Sequence, residues 1–262
     1  MPVNVRQIKH GELVYYRFSQ YDVFPEVVHG IFTRLGGISQ PPYHSLNLSF
    51  SVGDQPQQVL HNRQLVRAAL GMPELLSMGQ VHGNHALVIS SRERPSGQPE
   101  PPGIDILLTN VPGLALMVKQ ADCQAVLFYD PEQQVIANVH CGWRGNVQNV
   151  LGQAVHLLAQ TFGSRPEVLR VGISPSLGPC CAEFVNYRQE FPQDFWAYQT
   201  RPSYFDLWRL SQDQLQGAGV LPDHIQLAGL CSRCRAAEFF SYRRDQHTGR
   251  NATVIALRPD RK

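Results

Sequence analysis

Four closely spaced apolar runs set the first constraint on the fold: LALMV (114–118), AVLFY (125–129), QVIANV (134–139) and VLRVGI (168–173). Each has the length of a strand and is rich in aliphatic, β-branched or aromatic residues, so all four are expected in a buried sheet. Asp130-Pro131-Glu132 supplies the turn between the second and third, which predicts a hairpin. After Asn146 the period changes. Val147, Val150, Leu151, Ala154, Val155, Leu158 and Phe162 follow helical spacing, and Gly163 ends the run. Asn146 is the expected N-cap of that helix. A second helix is expected over 56–70, with Pro56 at its start and Gly71 past its end. ATVIAL (252–257) reads as a closing strand. Strands and helices mixed without strict alternation predict the α+β class, a single domain over 1–262 in which a mixed β-sheet is flanked by helices.

Composition adds exclusions. With 262 residues, 43% hydrophobic and 17% charged, the chain can bury a sizeable core. A formal net charge of +2 gives no footprint for nucleic acid, and basic residues gather only at Arg233, Arg235, Arg243 and Arg244. No run of 18 apolar residues is long enough to span a bilayer, and MPVNVRQIKHGELVYYRF lacks the apolar core of a secretory signal. A cytoplasmic location without membrane contact is the expectation. RERPSGQPEPPG (92–103) reads as a mobile surface loop within the domain.

The chemistry concentrates at VHCGWRGNVQNVL (139–151). His140 ends one strand pattern, His82 in GQVHGNH precedes another (ALVI), and Cys123 in KQADCQAV stands at the entry to AVLFY. If neighbouring strands carry them, two imidazoles and a thiolate converge at one sheet edge, a donor set that suits Zn²⁺ and leaves a fourth position open. Taken singly, a His at a strand end is more often a hydrogen-bonded structural residue than a ligand, and both readings stand on spacing alone. His85 makes an HxxH with His82, but in an extended segment the two point to opposite faces. Gly142 and Gly145 allow tight turns around Arg144, whose planar fork suits phosphate or carboxylate, next to a helix N-terminus. Arg34 in FTRLGGIS repeats the Arg-Gly device.

Six cysteines in such a chain read as thiols or ligands rather than a disulfide framework. Cys231-Ser232-Arg233-Cys234 has CxxC spacing but no second pair at ribbon distance, and the adjacent Cys180-Cys181 are not expected to point at one ion. A cysteine-only metal site is therefore not expected.

Ordered motifs then carry a resemblance: TRLGGIS, SLNLSFSVGD, HNR, QVHG, DILLTN, ADC, HCGWRG, SLGPCCAEF and FFSYRRDQHTGR, from about residue 29 to the end. Together they resemble the YfiH/YlmD family, also described as laccase-domain or multicopper polyphenol oxidase proteins. The resemblance implies that His82, Cys123 and His140 hold zinc. It also implies phosphorolysis of adenosine, inosine and S-methyl-5′-thioadenosine, with an added adenosine deaminase activity. The chain departs from the family pattern at Gln124-Ala125, Cys141, Asn146, Ser174 and Ala182, none of them an expected ligand.

On that reading a purine nucleoside and phosphate are the partners. Arg34 and Arg144 are expected to hold phosphate or orient the nucleoside, and Asp122 or Glu183 to move protons in deamination. The alternatives are a copper-dependent polyphenol oxidase and a hydrolase in which Cys123 and His140 are nucleophile and base. Copper is a possible metal for His₂Cys, but none of the ten histidines forms the His-x-His pairs of a trinuclear cluster. A cytidine-deaminase pattern fails at Pro179-Cys180-Cys181, which lacks the second half of its motif.

Overall fold

The computed structural model describes residues 4–91 and 100–259. Strands run in chain order as β1 (Val5–His10), β2 (Leu13–Phe18), β3 (Val27–Phe32), β4 (Glu74–Ser77), β5 (Ala86–Ile89), β6 (Ile106–Thr109) and β7 (Leu114–Gln120). They continue as β8 (Gln124–Asp130), β9 (Val135–Cys141), β10 (Arg170–Ile173), β11 (Gln199–Arg201), β12 (Tyr204–Phe205), β13 (Ile225–Leu227) and β14 (Asn251–Leu257). The α-helices are α1 (Pro56–Leu70), α2 (Trp143–Val147), α3 (Val150–Phe162), α4 (Tyr187–Glu190), α5 (Leu207–Gly217) and α6 (Tyr242–Asp245). The class is α+β, as expected.

The apolar runs divide between two six-stranded sheets, ordered β1-β2-β3-β14-β7-β4 and β13-β10-β8-β9-β6-β5. Alternation within each strand explains the division. Leu114, Leu116 and Val118 of β7 meet Ala125, Leu127 and Tyr129 of β8 in a core between the sheets. The opposite face of β7, Ala115 and Met117, packs with Val66 and Leu70 of α1. Val126 and Phe128 of β8 pack with Leu151, Ala154, Val155 and Leu158 of α3. Both faces of the central strands are thus covered, which is why their polar/apolar period is erased.

β8 and β9 form the expected antiparallel hairpin, with Ala125 opposite His140 and Gln124 opposite Cys141. Helix α1 begins at Pro56 and ends against Gly71, whose left-handed backbone donates to Ala68 and Arg67 carbonyls. The helix after β9 differs from expectation. A short α2 follows Gly142, the chain then passes through Asn149 at φ 51°, and Asn149 caps α3 by accepting from the Gly152 N–H. Asn146 is not the cap: it is buried, and its amide donates to Ser211 Oγ and Gln214 Oε1 of α5. Of the loop expected over 92–103, residues 92–99 lie outside the described residues, while Pro102 bridges to Gly79. Among the described residues no helix is long and apolar enough to cross a membrane.

Candidate metal centre and active-site cleft

The hairpin register brings two sequence-distant donors to one end of the second sheet. Cys123 immediately precedes β8 and His140 is the penultimate residue of β9, so antiparallel pairing alone sets them side by side. His82 comes from the turn between β4 and β5, with φ 61°. The ligand atoms of His82, Cys123 and His140 all lie within 4.8 Å of one another. Cys123 Sγ is 3.8 Å from His82 Nε2, and the two imidazoles meet edge-on at 4.8 Å between centroids. Alternation sends the neighbouring Cys141 to the opposite face, into the core against α3.

Asp105, just before β6, organises the two histidines, and no motif in the sequence marks it for that role. Its Oδ1 accepts from His140 Nδ1 at 2.7 Å and from the His82 backbone N–H at 3.1 Å. Its Oδ2 accepts from the Val81 and Gly83 N–H groups at 3.2 and 2.7 Å. One carboxylate therefore fixes the His140 tautomer, leaving Nε2 for the site, and shapes the turn that carries His82. Burial would push the Asp105 carboxyl up, but the bonds from His140 and the backbone amides bring it below its ordinary value. Burial likewise pushes the Cys123 thiol up, yet His140 and then His82 outweigh it and bring it down to about 6. Burial pulls the His140 imidazole down, but the Cys123 thiolate and Asp105 carry it up to about 9. The thiolate, the form that ligates metal, is the favoured state at neutral pH. Gly142 closes the back of the cluster: a Cβ there would lie 3.0 Å from both Cys123 Sγ and His82 Cδ2.

The cluster opens into a cleft of about 640 Å³, the size of a small-molecule site. Trp143 and Phe184 form an aromatic side, while Arg144, Arg243, Arg250 and Lys119 supply the cations of the lining. The exposed Arg144 guanidinium lies over the Trp143 ring at 4.6 Å, and it makes no hydrogen bond among the described residues. Deeper in, Lys119 Nζ pairs with Glu100 at 2.7 Å, and Arg63 pairs with the same oxygen at 2.5 Å.

The other sequence-selected residues sit differently. Arg34 does not line the cleft; its Nε donates to the His44 carbonyl at 3.0 Å, its Nη1 to that of Ala236, and it stacks on Phe240. The glycines after it serve close packing, since a Cβ on Gly36, at φ 88°, would meet the Glu12 carbonyl oxygen at 2.3 Å. Asp122 lines the cleft with both oxygens engaged, accepting from Ser232 Oγ and from the Arg243 N–H at 2.6 Å each. Glu183 is exposed beyond the cleft lining, and its carbonyl accepts from Arg243 Nη1.

The expectation that Cys180 and Cys181 do not point at one place, and that the CxxC pair has no second pair, is overturned. The sulfurs of Cys180, Cys181, Cys231 and Cys234 all lie within 4.8 Å of one another, outside the cleft lining. Adjacent cysteines reach one point because the chain turns there, with the N–H groups of Cys181 and Ala182 both donating to the Gly178 carbonyl. The partner of the CxxC pair was present in the sequence but separated by a distance that no local spacing rule covers.

The family model described as multi-copper polyphenol oxidoreductase laccase matches residues 28–258. The purine nucleoside phosphorylase YlmD of Geobacillus stearothermophilus is 32% identical over 254 residues, covering 90% of this chain and 92% of that protein. The purine nucleoside phosphorylase YfiH of Escherichia coli is 33% identical over 236 residues, covering 86% of this chain and 91% of the relative. The crystal structure of YlmD from Geobacillus stearothermophilus superposes with a TM-score of 0.88 at 31% identity, covering 98% of this chain and all of that one. The two-sheet architecture, the cleft and these likenesses together make the chain a member of the YfiH/YlmD family of laccase-like domains.

Proposed function

We propose that this protein is a zinc-dependent purine nucleoside phosphorylase acting on adenosine, inosine and S-methyl-5′-thioadenosine. The observation that carries the reading is the convergence of His82, Cys123 and His140 on a cleft that also holds an Arg144 guanidinium without a hydrogen-bond partner among the described residues. The residues fit a zinc ion on their own chemistry: two imidazoles, a low-pKa thiolate and a carboxylate behind one imidazole. Zinc held there would supply a Lewis-acidic centre with one open position. The naming of the relatives as purine nucleoside phosphorylases supports the substrate class.

In phosphorolysis a phosphate oxygen forms a bond to C1′ of the ribose while the C1′–N9 bond breaks. The electron pair leaves on the purine, which takes up a proton. Arg144 is the residue proposed to hold the phosphate: its fork makes no hydrogen bond among the described residues and can offer two parallel donors, and Trp143 beneath it limits its rotamers. Trp143 and Phe184 offer flat apolar surface to the purine. Arg34, already committed to backbone carbonyls, is better suited to bracing the cleft's surroundings than to binding phosphate.

The proposed deaminase activity on adenosine draws on the same cleft. Asp122 on its wall is the better-placed proton carrier, since Glu183 lies outside the lining. Multicopper oxidase chemistry is less well supported. Among the described residues, the only groups of three or more side chains able to hold a metal are the His₂Cys set and the four cysteines, so no histidine-rich second cluster accompanies it.

Incubating adenosine and inosine with the pure protein, with and without phosphate, and separating the products by chromatography tests the proposal. Free adenine and hypoxanthine with ribose 1-phosphate, formed only when phosphate is present, are the expected result. Base release that ignores phosphate, or no reaction, overturns it.

A further inference from the structure

We propose that Cys180, Cys181, Cys231 and Cys234 hold a second, structural zinc ion that staples together the two loops walling the cleft. The geometry suits a common centre better than a disulfide. Cys234 Sγ lies 3.6 Å from Cys180 Sγ and 3.4 Å from Cys181 Sγ. Four sulfurs placed about 2.3 Å from one zinc ion stand roughly 3.8 Å apart, close to both separations. A disulfide joins one pair at about 2 Å and leaves the third sulfur of this set without a role. The fourth sulfur, on Cys231, accepts from the Gly178 N–H at 3.4 Å, a contact that favours its thiolate form.

Charge and exposure also fit. Four thiolates around a divalent ion carry two net negative charges, and two cations stand by them: Arg233 lies within the CxxC pair itself, and the Arg201 guanidinium donates to the Cys180 carbonyl. Binding releases the thiol protons to solvent, with no oxidant or reductant required. Cys181 and Cys231 are buried and anchor the cluster, while Cys180 and Cys234 are exposed, so an ion can enter without unfolding.

The two loops are otherwise joined by few backbone bonds. Ser176 N–H donates to Leu230, and Ser232 N–H to Ser176. Beyond the cysteines each loop reaches the catalytic cluster through the residue next to Cys123. Leu177 N–H donates to the Asp122 carbonyl at 2.8 Å, and the Asp122 carboxylate accepts from Ser232 and Arg243. The first loop contributes Phe184 to the cleft, and α6, which follows the second, contributes Arg243. A zinc staple would hold this wall at fixed distance from Cys123, a positioning role and not a catalytic one.

The test is zinc content by elemental analysis on the whole chain purified under reducing conditions. Wild type is expected to carry about two equivalents, and Cys123→Ala and the double variant Cys180→Ser/Cys234→Ser about one each. The double variant replaces exposed residues, so core packing is spared, and it should raise KM for the nucleoside more than it lowers kcat. Should it fail to fold, Cys123→Ala reconstituted with Co²⁺ still decides. It is expected to take up one cobalt with strong thiolate-to-metal charge-transfer absorption and tetrahedral visible bands. A wild type holding a single zinc that Cys123→Ala removes completely overturns the proposal. So does a disulfide within the cluster mapped on a second batch purified without reductant, its free thiols alkylated at lysis.

Discussion

Replacing Asp105 with Asn tests how the site is assembled, because this side chain keeps its shape and loses its charge and one acceptor. Asp105 accepts four hydrogen bonds, two on each oxygen, from Val81, His82, Gly83 and His140. Asn offers one acceptor oxygen and one NH₂ group. Whichever way the amide turns, two of the four donors face another donor. Leaving buried donors unsatisfied costs about 1–3 kcal/mol each, and the surviving bonds lose their charge assistance. A loss of roughly 3 kcal/mol corresponds to a fall in Tm of about 6–12 °C for a chain of this size. Loss of the carboxylate behind a ligating imidazole weakens metal affinity by about 10–100-fold. The assays are a thermal melt of the metal-loaded protein and competition for zinc with a chelator of known affinity. Asp105→Asn with an unchanged Tm and zinc affinity within twofold of wild type would refute the claim that this carboxylate builds the site.

Three further outcomes follow from individual contacts. Gly142→Ala sets a methyl 3.0 Å from both Cys123 Sγ and His82 Cδ2, so it should weaken metal binding while leaving far-UV circular dichroism unchanged; retained zinc would contradict the packing. Arg144→Lys removes a planar fork worth roughly 1.5–3 kcal/mol to phosphate, so the phosphate KM should rise by about one to two decades with deamination less affected. An unchanged phosphate dependence would remove Arg144 from the mechanism. Burial raises the Glu100 carboxyl, but Lys119 and then Arg63 outweigh it, so its folded pKa lies below the ordinary 4.5. Its stabilising contribution is therefore complete above the ordinary carboxylate range and lost as pH falls through the lower folded value. Wild-type Tm should fall more steeply than that of Glu100→Gln between about pH 5 and pH 3, and parallel curves would count against the pair.

The features legible in the sequence are those whose cause is local. Pro56 and Gly71 bracket α1 because a first-turn proline and a left-handed terminal glycine act within a few residues. The β8–β9 hairpin was readable from its turn, and that hairpin alone brings Cys123 beside His140. Features made through space were hidden. Asp105 acts on residues more than twenty positions before it and on His140 well after it, so nothing beside it in the chain marks it out. The four cysteines meet across a separation of more than fifty residues, after a turn at Gly178 that adjacent Cys180-Cys181 does not announce. Asn146 and Asn149 are chemically equivalent caps three residues apart, and only the extra turn of α2 decides between them. The two Arg-Gly turns look alike in sequence, yet Gly36 serves packing against Glu12 while Gly142 makes room for ligands. Two sheets rather than one were also invisible, because strands covered on both faces carry no polar face to orient them.

The most direct measurement compares phosphate-dependent hypoxanthine release from inosine by wild type and by Cys123→Ala, each shown to be folded by its melting curve. Removal of the thiolate takes one of three donors from the cluster without touching the hairpin register or the cores packed around it. The prediction is loss of base release by at least about two decades, together with loss of the zinc equivalent bound there. Undiminished, phosphate-dependent release by folded Cys123→Ala would contradict the assignment of this cluster as the centre of the reaction.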